Sequence, residues 1–313
     1  MTRTGLVLGA GGLTGQAFHL GVLTALADAG FDGRSAQVLV GTSAGSLVAA
    51  GLALGLSAAD LRAQVLGEPL SPEGARLRAA RKASSTAHLP GAPAGPGPLA
   101  PRALLQTGRR GVRPGSLAAG LLPAGTQSTE GISRPLRQVF GDTWPDRDLR
   151  ICAVRARDAR RVVFGTPDAP PVDVGTAVAA SCAIPAYFAP VSVGADRYVD
   201  GGMHSPSNAD VVLGDGLDLV LVLSPMTMAR GAGRPADLPV RIAVGRYLAA
   251  EVRRLRRTGA RVVVVQPTAR DLQVMGSNPM RGDRARDVLE TVAASVRARL
   301  ARQGRLAEAV AAG

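Results

Sequence analysis

A three-layer α/β/α fold with a largely parallel central sheet is predicted by three features: the order of the apolar segments, the glycine-rich links after the first two of them, and the composition. Short apolar runs at 5–8, 37–40, 149–154, 161–164, 217–223 and 261–265 read as strands. Helix-length patterns lie between and after them at 16–29, 44–54, 58–66, 174–182, 240–257 and 283–303. Strands alternating with helices argue for parallel pairing with helices on both faces. The 313 residues are 46% hydrophobic and 19% charged, which suits a folded chain able to bury a large core. We read 1–313 as a single domain, interrupted at about 67–128 by a Pro-, Gly-, Ala- and Arg-rich stretch expected to be a mobile insertion and a possible lid.

The first strand leads into Gly9-Ala10-Gly11-Gly12-Leu13-Thr14-Gly15 and then a helix. Glycines there let backbone N–H groups converge on an anion at a helix N-terminus. A dinucleotide pyrophosphate site, an oxyanion hole and a plain structural turn all fit, and the spacing resembles some NADP-binding loops. The second strand counts against the nucleotide. A ribose-binding acid is wanted at its end, and Gly41-Thr42-Ser43-Ala44-Gly45 stands there instead.

That segment has the GxSxG form of a nucleophile elbow, placed where a strand becomes a helix. A serine hydroxyl needs a base. Of the three histidines, His19 falls inside the first helix as a packed or partly exposed residue, and His88 lies in the insertion. His204 follows Asp200-Gly201-Gly202 and is the one histidine to weigh as a base. An elbow after the second strand also disfavours a Ser-His-Asp triad of the α/β-hydrolase type. Asp200 itself ends a short apolar segment before two glycines, where close approach to its carboxylate is possible; a turn-capping role is the alternative.

Taken together these segments resemble the patatin-like phospholipase family. The glycine loop, G-T-S-A-G after the second strand and D-G-G some 150 residues later carry the resemblance. So do "ASCAIPAYFAPVSV" at 180–193 and "MGSNPMRGDRARDVLE" at 275–290. It covers 5–66 and 149–298 and leaves the insertion unmatched. It implies a patatin-like fold and a serine lipid acyl hydrolase acting on carboxylic esters through a Ser-Asp dyad and an acyl-enzyme. By resemblance Ser43 is the nucleophile, Asp200 the base, and Gly11 and Gly12 supply the oxyanion hole. Gly15, Gly41, Gly45, Gly201 and Gly202 support the motifs. No cofactor and no metal are implied.

Two departures stand out. Ala10 replaces the first glycine of the family's G-x-G-x-R/K-G loop, and Thr14 stands where a basic residue is usual. After D-G-G, Ser207-Asn208 only loosely matches the family's N-x-P. The loss at Thr14 bears on head-group preference more than on hydrolysis. It also motivates a second reading, a catalytically weak member that binds lipid or a partner through the Arg-rich insertion around Arg109-Arg110.

The net charge of +13 comes almost entirely from arginine, Lys82 being the only lysine. It predicts attraction to anionic surfaces, a peripheral membrane among them. With aromatics at 3% there is little to stack bases, so nucleic acid is not an expected partner. Arg253, Arg254, Arg256 and Arg257 end a helix, where their charge complements its dipole; contact with anionic lipid is the alternative. Three stretches free of charge, at 4–27, 35–59 and 174–195, are long enough to raise a membrane question. Glycines and prolines interrupt them, and buried α/β elements explain them better. The first has some signal-peptide character, yet its apolar run is broken at Gly9–Gly12, and a cytoplasmic protein is expected over a secreted one. Cys152 and Cys182 read as buried free thiols.

Overall fold

The computed structural model describes residues 2–85, 112–233 and 235–302. In chain order the elements are β1 (Thr4–Leu8), α1 (Gly12–Asp28), β2 (Val38–Thr42), α2 (Ala44–Ala53), α3 (Ala58–Leu66), α4 (Pro72–Ser85), α5 (Pro114–Leu121) and α6 (Glu130–Phe140). They continue with β3 (Asp148–Arg155), β4 (Arg160–Phe164), α7 (Val174–Ser181), β5 (Val191–Val193), β6 (Asp196–Asp200), β7 (Leu219–Leu223), α8 (Leu238–Arg257), β8 (Arg261–Val265), α9 (Ala269–Met275) and α10 (Ala285–Arg302). Chain contacts divide them into two compact units. The first comprises 1–74, 147–149 and 206–313, the second 75–146 and 150–205.

The first unit is built on parallel strands in the order β2-β1-β7-β8. β1, β2 and β7 are buried along their whole length, so both of their faces are covered. Their sequences, TGLVL, VLVGT and LVLVL, are near-continuous apolar runs for that reason. Leu6, Leu8, Leu39 and Leu221 are fully buried, each contributing about 1.5–3 kcal/mol. α1 packs mainly on α10, and α2 lies against β2 and β1. The charge-free stretches at 4–27 and 35–59 are thus β1 with α1 and β2 with α2. Among the described residues no helix is long and apolar enough to cross a membrane.

β8 ends the strand order, and arginines cover two of its carbonyls. Arg256 Nη2 donates to Val262 O at 3.3 Å and Arg299 Nη1 to Val264 O at 3.3 Å. Charged side chains on an edge strand discourage further strand addition. Part of the arginine run closing α8 is therefore structural: Arg256 reaches β8, and Arg254 pairs with Asp210 at 3.4 Å.

The second unit carries an antiparallel sheet in the order β5-β6-β3-β4. Its strands carry more charge than those of the first unit, as in DRYVD of β6 and RRVVF of β4. Val154, Ala156, Ala159 and Val199 form its small core with Ala119 of α5. α6 packs on α7, the buried helix of the third charge-free stretch.

The described ends of the 67–128 segment correct the expectation of irregular structure. α4 occupies 72–85 and α5 occupies 114–121. Each starts with proline in its first turn, where the missing N–H costs nothing. Gln127 then joins the segment 186–189, donating from N to Tyr187 O at 3.1 Å and accepting from Ala189 N at 2.9 Å. Frequent Pro and Gly hid these short helices from a periodicity reading. Residues 86–111, with His88, Arg109 and Arg110, lie outside the described residues.

Candidate active site

In the first unit, β1 and β2 run parallel with Leu8 opposite Gly41, so the glycine loop and the G-T-S-A-G turn leave the same sheet end side by side. Sites in parallel sheets form at that carboxyl end. Ser43 follows β2 and precedes α2 with φ 52° and ψ −122°, a conformation of about 1–3 kcal/mol cost for a residue with a Cβ. Its carbonyl accepts from Ser46 N at 2.8 Å and Ser46 Oγ at 2.6 Å, which fixes the turn. Gly45 lies against β1 so closely that a Cβ there would run into Leu8 O. A Cβ on Gly41 would likewise strike Ser46 Cα. The flanking glycines are thus required by close approach.

The glycine loop is held at both ends. Gly9 N donates to Leu223 O at 3.0 Å, Ala10 N to Pro206 O at 2.7 Å and Thr14 N to Pro279 O at 3.1 Å. Gly15 N, one turn into α1, bonds back to Gly11 O at 2.9 Å. Between these anchors the N–H groups of Gly11, Gly12 and Leu13 donate to no described residue. Gly12 has φ 61°, the left-handed conformation that glycine adopts freely. Three unclaimed amides thus open the 17-residue α1, whose N-terminal dipole favours negative charge. Two segments noted in the sequence serve as anchors: Pro206 in the stretch after D-G-G, and Pro279 in the C-terminal motif.

Several residues support the site, and of these the sequence marked only Ser207-Asn208, as a loose motif match. Asn208, buried with φ 48°, donates from Nδ2 to Thr42 Oγ1 at 3.1 Å, immediately before Ser43. Glu251 of α8 is buried and accepts from Ser207 Oγ at 2.6 Å and Ala209 N at 3.0 Å. The loose match at Ser207-Asn208 is therefore a brace between α8 and the elbow strand. Arg241, also buried, donates to Pro225 O at 2.9 Å, Thr227 O at 2.8 Å and Asp237 Oδ1 at 2.9 Å. It lines one small pocket with Gly11 and the buried Thr14, so a cation stands beside the loop although Thr14 is neutral. Nothing marked Glu251 or Arg241 in the sequence, where each looks like one more charge on a helix.

Of the two alternatives the sequence left for His19, packed or partly exposed, the structure shows the packed one. His19 is fully buried, with Nε2 2.7 Å from Gly9 O. A carbonyl only accepts, so this contact assigns a proton to Nε2. Burial lowers its pKa from 6.5 to about 4, the bond to Gly9 opposing part of that shift. The unfolded chain therefore takes up a proton between pH 6.5 and pH 4 that the folded protein refuses. The contribution of His19 to stability is fully present above about pH 7 and falls by about 1.4 kcal/mol per pH unit across that window. Urea unfolding at pH 7.5 and pH 4.5 is expected to show this loss in the wild type and a smaller one in His19→Gln.

The second unit holds the D-G-G turn. Asp200 ends β6 opposite Ala153, is buried, and donates from N to Ala183 O at 2.9 Å. Its Oδ1 accepts from Gly202 N at 2.7 Å. Gly201 sits against Cys152 O, leaving no room for a Cβ. Helix α5 covers this turn, with Gly115 against Met203. His204 is buried, donates from N to Gly201 O at 3.1 Å and accepts from Arg113 Nη1 at 3.5 Å. Ser43, Gly11, Gly12, Gly15, Gly41 and Gly45 thus belong to the first unit, Asp200, Gly201 and Gly202 to the second.

A strained serine at a strand-to-helix turn, beside unclaimed amides on the neighbouring strand's loop, is an arrangement that serine hydrolase chemistry in an α/β fold requires. The sequence profile of the family described as Patatin-like phospholipase matches residues 6–213, and the chain belongs to that family of lipid-hydrolysing enzymes. Among solved structures, the chain is similar to VipD from Legionella pneumophila at 14% identity and TM-score 0.45, over 96% of this chain and 67% of that one. It is similar to the type III effector protein ExoU at 18% identity and TM-score 0.38, over 96% of this chain and 53% of that one. The chain thus spans about two thirds of VipD and about half of ExoU. No curated protein matches.

Proposed function

We propose that the chain hydrolyses carboxylic esters of phospholipids and related lipids through Ser43 and Asp200. Ser43 Oγ attacks the ester carbonyl while Asp200 accepts its proton. The negative oxygen of the tetrahedral intermediate is held by the N–H groups of Gly11 and Gly12. Collapse expels the alcohol with the proton from Asp200 and leaves an acyl group on Ser43. Asp200 then takes a proton from water as its oxygen adds to the acyl carbonyl; the bond to Ser43 Oγ breaks, Oγ takes that proton back from Asp200, and the fatty acid leaves.

The observation that carries this reading is the φ 52°, ψ −122° backbone of Ser43 beside the unclaimed amides of Gly11 and Gly12. Family membership and the order of the motifs support Asp200 as the base. Exposed Arg253, Arg254 and Arg257 support peripheral contact with anionic membranes from the cytoplasmic side. Purified protein is expected to release free fatty acid from phosphatidylglycerol vesicles, more slowly at about 0.5 M salt, where exposed charges are screened. Absence of release from these vesicles, from lysophospholipid and from p-nitrophenyl esters would overturn the proposal.

A further inference from the structure

We infer that His19 is a positioning residue for the oxyanion loop, holding the Gly9–Ala10 peptide in the orientation that leaves the amides of Gly11 and Gly12 unclaimed. The inference rests on the catalytic reading above and adds a part that its chemistry does not name.

The Gly9–Ala10 peptide is where the chain leaves β1. Its carbonyl oxygen accepts from His19 Nε2 at 2.7 Å, and its N–H donates to Pro206 O at 2.7 Å. A peptide unit is planar, so fixing its oxygen and its hydrogen together fixes its rotation about the chain. The next peptide carries the Gly11 N–H, and the one after it the Gly12 N–H. Neither of those amides has an anchor of its own among the described residues. Their direction is thus inherited from the last anchored peptide before them and from Thr14 N, which is tied to Pro279 O after them. Glycine at 9, 11 and 12 adds rotational freedom on both sides of the fixed peptide.

His19 lies two turns into α1, and helical side chains lean toward the N-terminus, which brings its ring back to the start of its own helix. The helix that presents the amides thereby fixes the loop leading into it. A merely space-filling residue at this buried position would be better served by leucine. The ring instead keeps Nδ1 without a partner among the described residues, a cost for burying it. Its neutral state keeps Nε2–H as the donor and adds no charge beside the oxyanion site.

The test compares His19→Leu and His19→Gln, the second of which can place an amide N–H near the position of Nε2. Three quantities are read: hydrogen exchange of peptides covering 9–15, kcat and KM for p-nitrophenyl butyrate, and the melting temperature. His19→Leu is expected to speed exchange in 9–15 at least tenfold, while peptides of β2 and β7 keep their protection. Its kcat should fall about 100-fold with KM within about twofold, comparable to losing one oxyanion donor. His19→Gln should recover kcat to within about tenfold of the wild type. The inference is overturned if His19→Leu leaves exchange in 9–15 unchanged, or if the two variants lose kcat equally and in step with their melting temperatures. A wild type without esterase activity would overturn the catalytic reading instead, and the exchange comparison would still decide the positioning role.

Discussion

Ser43→Ala is expected to lower ester turnover by about 10⁵–10⁶-fold, the scale of loss when a serine hydrolase loses its nucleophile. The fold should be unaffected, because the side chain sits at the tip of a turn made by backbone. The Ser43 carbonyl, not its hydroxyl, accepts both bonds from Ser46. Alanine inherits the same φ of 52° and so the same strain. Ser43→Gly removes the Cβ and with it much of that cost. It should be as inactive as the alanine variant yet more stable by about 1 kcal/mol. Turnover of p-nitrophenyl butyrate and thermal melts of the three proteins check both expectations. If the strain serves only the packing of a corner, alanine would be silent in turnover.

Asp200→Asn is expected to reduce kcat by about 10³–10⁴-fold, the upper range for loss of a general base. Asparagine keeps an oxygen that can accept from Gly202 N, so the 2.7 Å bond that shapes the turn has a replacement. The variant should therefore fold and bind substrate while failing to take the Ser43 proton. His204→Ala is expected to stay within about tenfold of the wild type, since its described bonds, to Gly201 O and from Arg113, use backbone atoms that alanine retains. A severe His204→Ala with a mild Asp200→Asn, measured as kcat on the same ester, would move the base to the histidine.

What the sequence could and could not reveal follows from the physics of each segment. β1, β2 and β7 are legible because parallel strands buried on both faces are written in near-continuous apolar residues, and β8, though only partly buried, by its run of four valines. The short β5 (VSV) and the charged β6 (DRYVD) were not, since their faces are only partly covered and no run stands out. Helices α4 and α5 were hidden by proline and glycine at their ends and by the composition around them. Within the site, Ser43 and the glycines were legible because steric need admits few other residues there. Asn208, Glu251 and Arg241 act through bonds to backbone or across many residues of chain, such as Glu251 to Ser207, and spacing carries no trace of that. His19 was set aside as a helix residue, because the carbonyl it serves lies ten positions earlier.

The central claim is that Ser43 is a nucleophile. Its most direct test is reaction of the folded wild-type protein with a fluorophosphonate, followed by mass mapping of the modified peptide. A single adduct on Ser43, absent from the Ser43→Ala protein and strongly slowed in Asp200→Asn, is the expected result. An unmodified protein, or an adduct on another serine that persists in Ser43→Ala, would contradict it.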